Sequence, residues 1–169
     1  MINSVLRFCL IFILLVLAQI LLFNNIQLSG YVNPYVYVMF ILLLPAEIPA
    51  ALMICLSFVI GIVIDFYSGS AGMHAFASTF AGFVRPFVLM SISPREGYNP
   101  GAQPSMTNYG FRWFLLYAAI IVFIHHTTLF FVEAFRFIDF FRTFLRVILS
   151  SVFSLTFIII IEFYRKGKS

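Results

Sequence analysis

The stretch YVYVMFILLLPAEIPAALMICLSFVIGIVIDF, residues 35–66, runs for 32 residues and is interrupted only by PAEIP at 45–49. A helix crossing the ~30 Å hydrocarbon layer of a bilayer takes about 20 residues, so this stretch is too long for one crossing. Two prolines around a glutamate make a turn, because proline has no backbone N–H and keeps the residue before it out of helical geometry. The stretch therefore divides into segments 33–46 and 49–66. The first is short for a crossing and is expected to be tilted, partly buried or irregular.

The rest of the chain has the same character. Hydrophobic residues make up 63%, aromatic residues 19% and charged residues 9% of the 169 residues, and the mean hydropathy is +1.07. A soluble domain carries about 25% charged residues, so this composition describes an integral membrane protein with no room for a soluble catalytic domain. Six apolar segments follow, at 4–23, 33–46, 49–66, 71–91, 111–133 and 143–163, forming one all-α transmembrane domain over residues 1–169. The opening MINSVLRFCLIFILLVLAQILLF has no small-x-small cleavage site after its apolar run and reads as a retained first helix. Cys9 and Cys55 lie in apolar runs, where cysteine behaves as a small hydrophobe.

The net charge is +4, with basic residues scattered singly except for Arg165, Lys166 and Lys168 at the tail. That distribution suits the excess of Lys and Arg on the cytoplasmic side of a membrane better than nucleic-acid binding. With cytoplasmic termini, Arg7, Arg85, Arg95, Arg112 and the tail fall on the inner side and Arg136, Arg142 and Arg146 towards the outside. The connection SISPREGYNPGAQPSMTNYG then becomes a cytoplasmic loop, equally readable as a partner site or a bare linker. In EAFRFIDFFR, Glu133, Arg136, Asp139 and Arg142 recur at three-residue steps, an interfacial ladder on a helix turn with phenylalanines dipping into lipid.

Polar residues inside the apolar segments are the candidate site. Ser57, Gly61 and Asp65 are four apart on the third segment, and Ala71, His74, Ala75, Ser78, Ala81, Gly82 and Arg85 fall within a ~120° arc of the fourth. Two small-residue faces joined by the turn FYSGSAG suggest a tight helix hairpin packed at Ser57, Gly61, Ala75, Ser78 and Gly82. Gln19, Asp65, His74 and one of His125 and His126 are expected to meet at the outer level, with Asp65 near His74. Arg85 is expected to snorkel to the headgroups rather than to meet Glu47. As a metal site the cluster has imidazole and carboxylate groups, but His125 and His126 point about 100° apart and HEXXH-like spacing is missing. As a catalytic site it has no nucleophile with a known local signature. The remaining interpretation is structural, with polar groups hydrogen bonding across helices at about 0.6 kcal/mol each.

The order of these features, an apolar first helix with Gln19, then NPYVYVMFILLLP (33–45), then GIVIDFYSGSAGMHAFA (61–77), resembles MreD, the rod shape-determining membrane protein family of the bacterial elongation machinery. The likeness extends over nearly the whole chain and is most specific at Gly61, Asp65, Gly69, Gly72 and His74. It implies a bundle of about six helices similar to the substrate-binding subunits of energy-coupling-factor vitamin transporters. It also implies the partner MreC and, through it, a RodA-type glycosyltransferase, a class B penicillin-binding protein and MreB filaments, in the bacterial cytoplasmic membrane. No catalytic residue, cofactor or metal comes with the resemblance. The expected function is a non-enzymatic scaffold for lateral peptidoglycan synthesis. The rival is a vitamin-type substrate-binding subunit. With the hairpin face consumed by packing, the surface expected to receive MreC is Arg136, Asp139, Arg142 and Arg146, continued by Ser150 and Ser154.

Overall fold

A computed structural model of the chain describes residues 2–25, 32–134 and 139–167. They form seven α-helices and no β-strand: α1 Ile2–Leu21, α2 Val38–Leu43, α3 Ala50–Ser68, α4 Met73–Ser91, α5 Met106–Tyr109, α6 Phe111–Ala134 and α7 Phe140–Lys166. Three of them, α3, α6 and α7, are long and apolar enough to cross a membrane. Beside them run α1, apolar over Val5–Leu21, and the 19-residue α4, which carries His74 and Arg85.

The distribution of polarity is the reverse of a soluble protein. Leu14, Phe66, Phe87, Phe141 and Ile160 are exposed, whereas Gln19, Asp65, His74, Arg85, His125, His126 and Glu162 are buried. Only a lipid exterior makes that arrangement favourable, since alkyl and phenyl groups gain nothing by leaving hydrocarbon and isolated polar groups lose several kcal/mol (about 2–7) by entering it.

The long helices alternate in direction, so the molecule has two ends. The α3–α4 turn lies at the hairpin end. The connection 92–110 lies at the other, the loop end, together with the start of α1 and the close of α7. Helices α3 and α4 pack closely because glycines let their backbones approach. A Cβ on Gly61 would lie 2.5 Å from the Ala75 Cα and 2.6 Å from the His74 carbonyl, and one on Gly82 would overlap the Ser57 hydroxyl. Gly61 thus faces Ala75 and Gly82 faces Ser57, and Ser78 is also buried, with its hydroxyl on Tyr37. The turn itself uses Gly69 and Gly72, whose φ of 66° and 82° disfavour any residue with a Cβ.

The second apolar segment is not a membrane-spanning helix. It holds only the six-residue α2, flanked by non-helical chain, and Val36 to Leu44 are each at most 3% exposed. It runs through the middle of the bundle, enclosed by the other helices. Leu44 precedes Pro45 and takes the non-helical φ −60°, ψ 147°, so the helix ends at Leu43, two residues before the proline.

The connection 92–110 is not a bare linker. Tyr98, Tyr109 and Trp113 form an aromatic cluster, the Tyr98 hydroxyl donates to the Leu89 carbonyl at 2.6 Å, and the Trp113 indole donates to the Ile92 carbonyl at 2.9 Å. Desolvation raises the Tyr98 phenol to about 12, which keeps it protonated as the donor.

Candidate functional site

A non-helical backbone inside a membrane protein needs partners for its N–H and C=O groups, because hydrocarbon supplies none. The central segment 32–45 obtains them from four helices. From α7, Ser150 and Ser154 accept hydrogen bonds from the N–H groups of Asn33 (3.0 Å) and Tyr35 (2.8 Å). From α1, the Gln19 Oε1 accepts from Val36 N–H at 2.8 Å and Tyr37 N–H at 3.4 Å, while its Nε2 donates to the Pro34 carbonyl at 3.1 Å. These N–H groups lie just before α2, which starts at Val38, so Gln19 holds the backbone that leads into that helix from outside its own chain segment.

At the other end of α2 the carbonyls are orphaned, and a buried cation receives them. Arg85 of α4, with no exposed surface, donates to the carbonyls of Leu42, Leu44 and Pro45, and its Nε donates to the Tyr117 hydroxyl at 2.6 Å. Tyr117 of α6 in turn donates to the Leu42 carbonyl at 3.2 Å. The snorkelling expected for Arg85 does not occur. A helix C-terminus carries partial negative charge, and three carbonyls with a phenol replace the water that the guanidinium loses.

Asp65 performs the same service for α4. Its Oδ1 accepts from the Ser70 hydroxyl at 2.5 Å and the His74 N–H at 3.0 Å, and its Oδ2 accepts from the Ala75 N–H at 2.8 Å. Asp65 therefore meets the backbone of His74 rather than its ring. The Gly72 position that precedes α4 has no side chain to cap it, and a carboxylate from α3 satisfies those first N–H groups.

The imidazoles meet through a residue that sequence reasoning did not single out. The Tyr37 hydroxyl lies 3.1 Å from His74 Nδ1 and 2.7 Å from His125 Nε2, and receives the Ser78 hydroxyl at 3.4 Å. His126 joins the cluster as well, against the expectation that only one of the pair would. Its Nδ1 faces the Val122 carbonyl at 2.8 Å, an acceptor only, so Nδ1 carries the proton and Nε2 accepts from Ser154 at 3.0 Å. Ser154 thus donates to His126 while accepting from Tyr35. The Tyr35 ring packs within 6.3 Å of the rings of His74, His125 and His126. Among the described residues, no group of three or more His, Cys, Asp and Glu side chains is placed to hold a metal ion.

Above this cluster, at the hairpin end, a cavity of about 430 Å³ opens between Phe23, Asn24, Asn33, Tyr35, Tyr67 and Ser70, with His74 and Glu133 in its lining. Arg146 forms its wall: it pairs with Glu133 at 3.0 Å, and its guanidinium lies 4.3 Å from the Phe130 ring centre. Arg146, about a quarter exposed, lines this wall, whereas Ser150 and Ser154, expected to continue the docking surface, are wholly buried. Of the ladder, Glu133 lies on α6 and Asp139 directly precedes α7, while residues 135–138 between them lie outside the described residues. Asp139 and Arg142 are exposed, and Arg136 lies outside the described residues.

At the loop end a further carboxylate is buried. Glu162, 1% exposed, accepts from the Met106 N–H at 3.1 Å and pairs with Arg165 at 2.5 Å, and Arg165 reaches the Gln103 amide oxygen at 3.1 Å. The acid clasps the loop to α7. Neither Tyr37 nor Glu162 has a local sequence signal beyond being polar in an apolar run.

Comparison with family models, with curated proteins and with solved structures finds no match for this chain.

Proposed function

We propose that the chain is a non-enzymatic membrane scaffold of the MreD type, held in a bacterial cytoplasmic membrane with both termini inside. It binds MreC and supports lateral wall synthesis by the RodA-type glycosyltransferase and class B penicillin-binding protein. One observation carries this reading. The buried polar side chains Gln19, Asp65, Arg85, Tyr117, Ser150 and Ser154 all end on backbone groups of the central segment or of α4. Their chemistry maintains a shape, which is what a scaffold presents to its partners. The sequence resemblance supplies the identity of those partners.

The test is capture from native membranes. MreC is expected to co-purify, and reversing charge at Arg136 and Arg142 together is expected to weaken that capture and round the cells. Undiminished capture by the double reversal moves the interface to the 92–110 loop, and absence of MreC from the wild-type sample defeats the proposal. The cavity at the hairpin end supports a second reading, a small-ligand subunit, since its polar lining sits over a buried cluster as a ligand pocket does. A ligand subunit retains a small molecule through purification and is stabilised by it, whereas a scaffold is stabilised by a protein.

A further inference from the structure

Between α1 and α7 lies an apolar groove of about 470 Å³, walled by Leu10, Leu14, Leu15, Met39, Leu43 and Ile161. At its loop end the lining changes to Arg7 and Arg165. The same two arginines line a polar cavity of about 550 Å³, together with Gln103, Asn108 and Glu162. An apolar slot and a polar mouth are therefore joined at two guanidinium groups. From Arg7 to Leu15 the slot runs about 12 Å along α1, at 1.5 Å per residue.

Among the described residues, the charges that line the mouth do not balance. Arg165 is paired with the buried Glu162, so that carboxylate is already neutralised. Arg7 is exposed and has no hydrogen-bond or ion-pair partner among the described residues, and Lys166 follows Arg165 on α7. A molecule that fits both parts has a long apolar chain and an anionic group at one end.

We propose that this slot binds an anionic phospholipid, with an acyl chain along Leu10, Leu14 and Leu43 and the phosphate between Arg7 and Arg165. A zwitterionic lipid fills the groove equally well, but its own cation offsets the attraction of its phosphate to Arg7. Anionic selectivity is therefore the signature of the site, and it comes from charge left unmatched in the protein.

The experiment is native mass spectrometry of the delipidated full chain, titrated with phosphatidylglycerol and phosphatidylcholine of identical acyl chains. Phosphatidylglycerol adducts are expected to dominate. Arg7→Gln, which breaks no hydrogen bond or ion pair among the described residues, is expected to reduce them about fivefold, while Arg95→Gln on the exposed loop leaves them unchanged. Leu10→Trp, which fills the slot, is expected to reduce binding of both lipids with the elution volume of the folded protein unaltered. Equal binding of the two lipids by the wild type overturns the proposal. So does an equal loss in Arg7→Gln and Arg95→Gln, which marks unspecific surface attraction. Full phosphatidylglycerol binding by Leu10→Trp places the headgroup without the groove and also defeats it. Protection of Leu10→Cys from alkylation by a co-purifying polypeptide, with no lipid adduct, assigns the groove to a protein helix instead.

Discussion

Arg85 and Asp65 are each surrounded by backbone rather than by opposite charge. The Arg85 fork reaches the carbonyls of Leu42, Leu44 and Pro45 from one rigid plane. Arg85→Leu leaves the Leu44 carbonyl dry and unsatisfied, at about 1–3 kcal/mol, and takes one donor each from Leu42, Pro45 and the Tyr117 hydroxyl, so the folded yield and melting temperature in detergent are expected to fall sharply. Arg85→Lys keeps a cation but loses the planar fork, and is expected to fall between the two. Asp65 accepts three hydrogen bonds through both oxygens. Asp65→Asn turns one oxygen into an amide donor that faces an N–H, so it is expected to cost about 1–3 kcal/mol, and Asp65→Leu clearly more. Thermal unfolding of the two variants side by side checks the order. Equal melting temperatures would remove the capping role.

At the scale of elements, the fold depends on one segment that is not a helix through most of its length. Its interior position is possible because α1, α4, α6 and α7 all supply side chains to its backbone. Removing Ser150 and Ser154 together as alanines frees the N–H groups of Asn33 and Tyr35 and deprives His126 of its donor. Hydrogen exchange is expected to rise at residues 33–37 well before it rises in α3 or α6, and uniform exchange across all helices would contradict this. The closeness of the α3–α4 hairpin, by contrast, depends on Gly61 and Gly82 meeting Ala75 and Ser57.

At the scale of the molecule, the two ends differ in kind. The hairpin end has an internal polar cavity closed on one side by the Glu133–Arg146 pair, and the loop end has a basic mouth with the connection 92–110 folded over it. Arg7 near the start of α1 and Arg165 near the close of α7 line the same cavity, so both termini belong to one end. Reporter fusions after Gly101 and after Ser169 are expected to register the same side of the membrane, and one after Asp139 the opposite side. The excess of basic residues at the loop end is the ground for proposing that this end faces the cytoplasm. An externally active fusion at Gly101 would reverse that orientation.

Composition alone determined that this chain is a helical membrane protein, because apolar runs of about 20 residues have few other uses in a cell. Residue spacing determined the α3–α4 interface as well, since small residues four apart form one face of a helix whatever surrounds it. The proline turn at 45–49 divided the long apolar stretch correctly, and the shortness of segment 33–46 already suggested irregular structure. Tertiary structure alone decided who serves that segment. Nothing local distinguishes Arg85 reaching carbonyls from Arg85 reaching headgroups, or Ser154 holding a backbone amide from Ser154 facing a partner. Hydrophobic periodicity tells which face of a helix is polar. Where a polar face ends depends on which backbone groups another part of the chain leaves unsatisfied, and that is a property of the assembled bundle.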